Sequence, residues 1–276
     1  MSLLSVRDLS THFFTREGVV HAVDGVSFDV EERKVLGIVG ESGCGKTVTA
    51  LSVIGLIQKP VARIVSGEVL FGGRDLTKLS ERELEDVRGS QIAMIFQDPM
   101  TSLNPSLTIG TQITETIRRH FDVSKEEARR RAVALLDELR QSHGTSMMLI
   151  THDMGVIAEA ADDVVVMYAG QIVEQAPVND LFDRPEHPYT EALLGALPQI
   201  EGEGIREGRL TAIPGRPPDL IDPPQACRFG PRCPYASGND SCTTVMPELR
   251  EIRPGHFVRS AHPTSERAGT RVEVRA

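Results

Sequence analysis

The octapeptide Gly40-Glu41-Ser42-Gly43-Cys44-Gly45-Lys46-Thr47 fits G-x-x-x-x-G-K-[ST], a loop that cradles phosphates. Upstream of it, Val35-Leu36-Gly37-Ile38-Val39 is a short apolar run with β-branched residues, the pattern of a buried strand. Downstream, Thr47 to Gln58 carries no charge and spaces Val48, Leu51 and Ile54 as a helix does. Glycines let such a loop curl tightly and aim its N–H groups inward. The helix behind it adds the positive end of its dipole. Lys46 is then placed to reach the β- and γ-phosphates, and the Thr47 hydroxyl to bind Mg²⁺. A chance glycine-rich turn would not have a strand before it and a helix after it. The expected fold is α/β, of the P-loop nucleotide-binding type.

The composition narrows the classes. With 40% hydrophobic and 25% charged residues the chain reads as an ordinary globular protein. Aromatics amount to 4%, Trp is absent and the net charge is −9, which argues against nucleic-acid binding by stacking or by a basic surface. The opening Met1-Ser2-Leu3-Leu4-Ser5-Val6-Arg7-Asp8 lacks the basic and apolar parts of a secretory leader, so none is expected. No segment has the length of a membrane span, so any membrane role is expected to be peripheral. Four cysteines, one of them inside the loop, fit a reducing compartment better than a disulfide framework.

Taken in order, residues 1–33 show strand-type alternation. Phe13, an aromatic upstream of the loop, either stacks on an adenine ring or fills a core. Ser66 to Phe71 reads as a strand ending at Gly72-Gly73. Ser80 followed by Glu83 opens a short charged helix with a capping box. Gln91 to Phe96 is a buried-strand candidate, with Gln97 at its carboxyl end, where α/β sheets bind ligands. Gln97 is there either a polar strand end or a ligand to Mg²⁺ or the attacking water. Ser124 to Leu139 reads as a charged helix whose Arg129-Arg130-Arg131 run is a solvated face. Thr145 to Thr151 is an apolar strand leading to His152, which either touches a γ-phosphate or serves structure. Asp163 to Tyr168 and Gln171 to Glu174 read as a hairpin around Ala169-Gly170. From Pro177 the chain becomes proline-rich, and a boundary near residue 203 separates a nucleotide-binding domain, 1–203, from a loop-rich appendage, 204–276.

These motifs together resemble the ATP-binding subunits of ABC importers for oligopeptides and dipeptides, a group that includes nickel-importer subunits. The resemblance is carried by Ala22-Val23-Asp24-Gly25-Val26-Ser27-Phe28, the loop at 40–47, and Ala93 to Pro105. It continues in Leu149-Ile150-Thr151-His152-Asp153-Met154, Val166-Met167-Tyr168-Ala169-Gly170, His187-Pro188-Tyr189-Thr190 and Arg232-Cys233-Pro234-Tyr235-Ala236. It implies an ABC-type domain with an antiparallel β subdomain that binds ATP and Mg²⁺. Nucleotide contacts are expected from Phe13 and from Gly40, Glu41, Ser42, Gly43, Cys44, Gly45, Lys46, Thr47 and Val48. Thr47 and Gln97 are expected at Mg²⁺, and Gln97 and His152 in catalysis. Implied partners are transmembrane permease subunits, a second ATP-binding subunit and, indirectly, an extracytoplasmic solute-binding protein. The implied place is the cytoplasmic face of the cell membrane.

The chain departs from that family between Arg131 and Asp153. The family has there a Leu-Ser-Gly-Gly signature, a Walker B strand ending in Asp and a catalytic Glu, and a D-loop; here one helix leads straight to the strand before His152. The excision is placed near residues 136–142, and part of the helical subdomain and the Walker B strand are expected to be lacking. Loss of a general base typically costs about 10²–10⁴ in rate, so transport ATPase activity is expected to be lost. Two other classes remain: a non-hydrolysing nucleotide-binding or regulatory protein, and a P-loop phosphotransferase with Arg129–Arg131 as its lid.

In the appendage the resemblance implies an iron–sulfur cluster, with Cys227, Cys233 and Cys242 in the first three ligand positions and Ala261 in the fourth. A [4Fe–4S] cluster normally takes four thiolates. Three thiolates with His262 or His256 make instead a Cys₃His zinc set. Three structural thiols are the remaining reading.

Overall fold

A computed structural model describes residues 2–96, 107, 109–128, 130–131, 145–151, 154–196, 200–201, 204–205, 213–236 and 241–267. The chain divides into two compact units: Met1–Thr77 with Ser146–Ala276, and Lys78–Thr145.

The first unit holds two main sheets. Strands β1 (Ser2–Phe14), β2 (Val19–Glu31), β4 (Ala62–Phe71) and β5 (Arg74–Asp75) form an antiparallel sheet in the order β2-β1-β4-β5. Its inner positions, Val6, Leu9, Val23, Val26 and Val69, are fully buried. The alternation in residues 1–33 predicts these strands, and the family resemblance implies the antiparallel subdomain they form. Gly72 and Gly73 take left-handed φ of +54° and +81° at the turn into β5, as the sequence requires there.

The second sheet has six strands. Strand β3 (Val35–Val39) lies between β7 (Asp163–Tyr168) and β6 (Met147–Ile150), parallel to both. Beyond β7 come β8 (Gln171–Pro177), then β12 (His256–Val258) and β11 (Arg250–Arg253), all antiparallel to their neighbours. A two-residue hairpin, β9 (Ile200–Glu201) with β10 (Gly204–Ile205), stands apart from both sheets. The β7–β8 turn is the expected one: Ala169 and Gly170 both take left-handed φ, +48° and +82°, which matches the strand twist.

Central strands are buried on both faces, as parallel sheets require. Leu36, Ile38 and Val39 fill β3, and Val164, Val165 and Val166 fill β7. Helix α4 (Met154–Ala160) packs Ile157 against Gly37 of β3, where any side chain would meet the isoleucine at 2.8 Å. Helices α5 (Val178–Asp183) and α6 (Pro188–Gly195) follow β8 and bury Leu181 and Tyr189 in the same core. Strand β6 is the sheet's outer strand, and its Met147 is 49% exposed.

Helix α1 (Lys46–Val53) follows the phosphate loop but ends sooner than the spacing to Gln58 predicts. Gly55 in a left-handed conformation, φ +66°, stops it, as glycine beyond a last turn commonly does.

In the second unit, α2 (Glu81–Val87) carries the expected capping box. The Ser80 hydroxyl accepts from the Glu83 N–H at 3.4 Å, and the Glu83 carboxylate accepts from the Ser80 N–H at 2.8 Å. Helix α3 (Ile109–His120) is tied to α2 by Arg119, which bridges to Glu85 and Asp86. Residues 125–128, 130 and 131 are helical, and Arg130 and Arg131 both pair with Glu127. They are solvated ion pairs, as the arginine run implies.

One expectation fails in this unit. Gln91 to Phe96 is not a strand: a single bridge joins Ile92 to Arg88, and Ile95 is 93% exposed. The run Ile92-Ala93-Met94-Ile95-Phe96 suits a strand covered on both faces, and no strand among the described residues pairs with it. Without neighbouring hydrogen bonds an apolar run has no reason to stay extended in a sheet.

Candidate functional site

The loop between β3 and α1 is closed by its glycines. A side chain at Gly40 would lie 2.2 Å from the Met167 carbonyl, and one at Gly45 2.4 Å from the Ala22 carbonyl. Both have left-handed φ, +146° and +106°, so no other residue fits either place. The Lys46 ammonium donates to the carbonyls of Gly40 at 2.7 Å and Glu41 at 2.9 Å. It is thus held over the loop. Helix α1 has no side-chain cap and no acidic residue in its first turn, so its amino end is left for an anion. Thr47 is exposed in that turn, while Cys44 is buried and its thiol is pushed up by burial, which keeps it neutral.

These features fit a nucleotide triphosphate and its Mg²⁺: a glycine cradle too tight for a Cβ, an ammonium beside it and an exposed hydroxyl at the helix start. Phe13 lies half-buried on β1 opposite Val20, and exposed Phe14 carries the Arg63 guanidinium 5.3 Å from its ring. Val48 is half-buried in the first turn of α1. Gln97 and His152 lie outside the described residues, as does the junction at 136–142.

The C-terminal part of the chain grips the same loop. The Tyr189 hydroxyl accepts from the Glu41 N–H at 2.9 Å. The Glu41 carboxylate takes two hydrogen bonds from Arg232, at 2.7 and 3.1 Å, and this pairing raises the arginine's pKa. Arg232 also donates to the Pro214 carbonyl at 2.8 Å and lies over the Tyr168 ring. Arg228 donates to the Ala169 carbonyl and pairs with Asp24 of β2. Tyr168, Tyr189 and Phe229 pack ring to ring at 4.7–5.4 Å beneath these contacts. A cavity of about 200 Å³ opens between the loop, at Glu41 to Cys44, and Pro217, Pro218 and Leu220.

His187 explains why Tyr189 points there. It caps α6: its Nδ1 accepts from the Tyr189 N–H at 3.0 Å, and its own N–H donates to Glu174 at 2.9 Å. Complete burial pushes its pKa down to about 3, so the imidazole stays neutral and Nδ1 remains an acceptor. Glu174, fully buried, also accepts from the Glu186 N–H and from His256 Nε2, each at 2.7 Å. His256 is therefore committed to Glu174 and is not free to join the cysteines.

His262 is the histidine beside them, with Nε2 3.2 Å from the Cys242 sulfur. Burial raises the pKa of all three thiols, that of Cys233 to about 11, so they are neutral. Among the described residues, no three ligand atoms of this set lie within 4.8 Å of one another. The set has the right donors but is not drawn together around an ion.

Sequence reasoning missed the grip on the loop. Tyr189 and Arg232 both lie inside motifs that carry the family resemblance, yet nothing local marks Glu41 as their common partner.

Comparison with known proteins agrees with this geometry. Residues 23–159 match the family model for ABC transporters, and residues 173–242 match that for the oligopeptide/dipeptide transporter C-terminal region. A probable peptide ABC transporter ATP-binding protein of Sinorhizobium fredii is 44% identical, covering 92% of this chain and 93% of its own length. The oligopeptide transport ATP-binding protein AppD of Bacillus subtilis is 39% identical over 94% of this chain and 96% of its own. These alignments run over 315 and 319 residues, more than the 276 of this chain, so the relatives carry residues that have no counterpart here. Among solved structures, a dimeric bacterial ABC transporter cassette superposes with a TM-score of 0.54 at 17% identity, covering 63% of this chain and 98% of that one. The fold is that of an ABC-type nucleotide-binding domain, and the chain belongs to the family of ATP-binding subunits of oligopeptide and dipeptide ABC transporters.

Proposed function

We propose that this chain binds ATP–Mg²⁺ at the 40–47 loop, serves a peptide importer by that binding, and does not hydrolyse ATP with residues of its own. The observation that carries the reading is the loop itself, with Lys46 held over the glycine cradle beside an uncapped helix start. In the proposed site Phe13 stacks on the base, and Gly40 to Val48 surround the phosphates. Lys46 meets the β- and γ-phosphates, Thr47 holds Mg²⁺, and Gln97 and His152 face the γ-phosphate. This chain's residues bind and orient ATP and its metal.

Loss of hydrolysis is supported by three observations. The sequence has no Asp-Glu pair closing an apolar strand, since Asp137-Glu138 falls within the charged helical pattern of Ser124 to Leu139. The relatives' alignments are longer than the chain. And β6 is an edge of its sheet among the described residues, as expected if a neighbouring strand were lost. Arg130 and Arg131, being paired with Glu127, lend nothing to the phosphotransferase reading.

In this reading residues 1–203 form the nucleotide-binding domain and 204–276 the appendage that grips it. The partners are permease subunits and a second ATP-binding subunit, which draws on the solute-binding protein through the permease. The chain sits at the cytoplasmic face of the membrane; among the described residues no helix is long and apolar enough to cross one. Cys227, Cys233 and Cys242 with His262 close on zinc or on an iron–sulfur cluster.

Lys46→Ala should weaken ATP–Mg²⁺ binding about 10–100-fold, the worth of a hydrogen-bonded charge. Unchanged affinity by calorimetry would sink the site. For the cysteines, anaerobic purification and elemental analysis should return stoichiometric zinc or iron; a metal-free protein would end that part of the proposal.

A further inference from the structure

Where β1 and β2 pair beside Phe13, three metal-ligating side chains converge. His12 and His21 are direct cross-strand partners, with ring centroids 4.0 Å apart. Asp24 completes the group, and one ligand atom from each lies within 4.8 Å of the others. All three are half-buried. His12 Nε2 is buried without any hydrogen-bond partner, which is costly for a polar atom unless something fills the place.

We infer that His12, His21 and Asp24 form a binding site for a divalent transition-metal ion, clamping β1 to β2 next to Phe13. Two imidazoles and a carboxylate suit Zn²⁺, Ni²⁺ or Co²⁺, with coordination positions left for water. The Arg228 guanidinium, paired with Asp24, opposes any cation here and leaves one carboxylate oxygen for it. With that oxygen and two imidazole nitrogens the set lacks the several oxygen ligands that Mg²⁺ and Ca²⁺ need, and suits ions that gain strongly from nitrogen. None of its three ligands belongs to the phosphate loop or to the cysteine set, and the test below uses no nucleotide.

The test is a Co²⁺ titration of the metal-stripped full chain without nucleotide, which would itself chelate the ion. Cobalt at the cysteines gives thiolate charge-transfer absorption; cobalt at this site gives only the weaker visible bands of a nitrogen and oxygen set. The expected result is one equivalent of the second kind, with affinity reduced at least about tenfold in His12→Gln and in His21→Gln and unchanged in Cys242→Ser. Millimolar Mg²⁺ should not displace it. Should either histidine variant fail to fold, paramagnetic broadening of the His12 and His21 ring signals in the unaltered chain gives the same answer. Absence of the equivalent, its persistence in both folded variants, or unbroadened rings overturns the inference.

Discussion

His187 sits at the amino end of α6 as a neutral cap, and that neutrality has a pH consequence. Its pKa is pushed from 6.5 to about 3 by burial, while in the unfolded chain it returns to the ordinary value. Between those values the unfolded chain binds a proton that the folded chain refuses. Stability from this group is therefore full above pH 6.5 and is lost as pH falls toward 3. One such group gives a slope of at most about 1.4 kcal/mol per pH unit. His187→Asn keeps a capping acceptor but does not titrate. Urea midpoints measured from pH 7 to pH 4 should thus fall more steeply for the unaltered chain than for the variant. Parallel curves would mean that the imidazole is not held neutral. At this scale the phosphate loop is legible in the sequence, because its motif is contiguous and its glycines take the left-handed φ that the motif leads one to expect. The sequence hides the grip of Tyr189 and Arg232 on Glu41, since the partners are separated by 148 and 191 residues and only the fold brings them together.

Strands follow their sequences where both neighbours exist. The β3 and β7 runs are buried as their valines and isoleucines predict, and the β7–β8 turn forms at Ala169-Gly170 as read. The Gln91–Phe96 run has the same apolar character and forms no strand, because a strand is a property of pairs and its partner is not in the described residues. Among the described residues strand β6 has one partner, β3, and so leaves half its backbone without a ladder there. Its amides should exchange with deuterium faster than those of β7, which is flanked by β3 and β8. Equal protection in the two strands would show that β6 is covered in solution by something that completes the sheet.

For the whole molecule, family membership and the loop point to ATP binding, while the proposed loss of turnover rests on residues that the relatives carry and this chain does not. A P-loop ATPase needs the loop hydroxyl and a second carboxylate for Mg²⁺, and a group to position water. The chain offers Thr47 for the first, and no Asp-Glu pair at a strand end for the others. The C-terminal segment meanwhile pins the loop through Arg232 and Tyr189, so the phosphate cradle depends on residues far beyond the loop motif. Calorimetric titration of the full chain with ATP–Mg²⁺ reads both halves of this account at once. The predicted trace is saturable binding heat at one site per chain, about 10–100-fold weaker in affinity in Lys46→Ala, with the baseline returning after each injection. A sustained heat flow from hydrolysis that disappears in Lys46→Ala would contradict it.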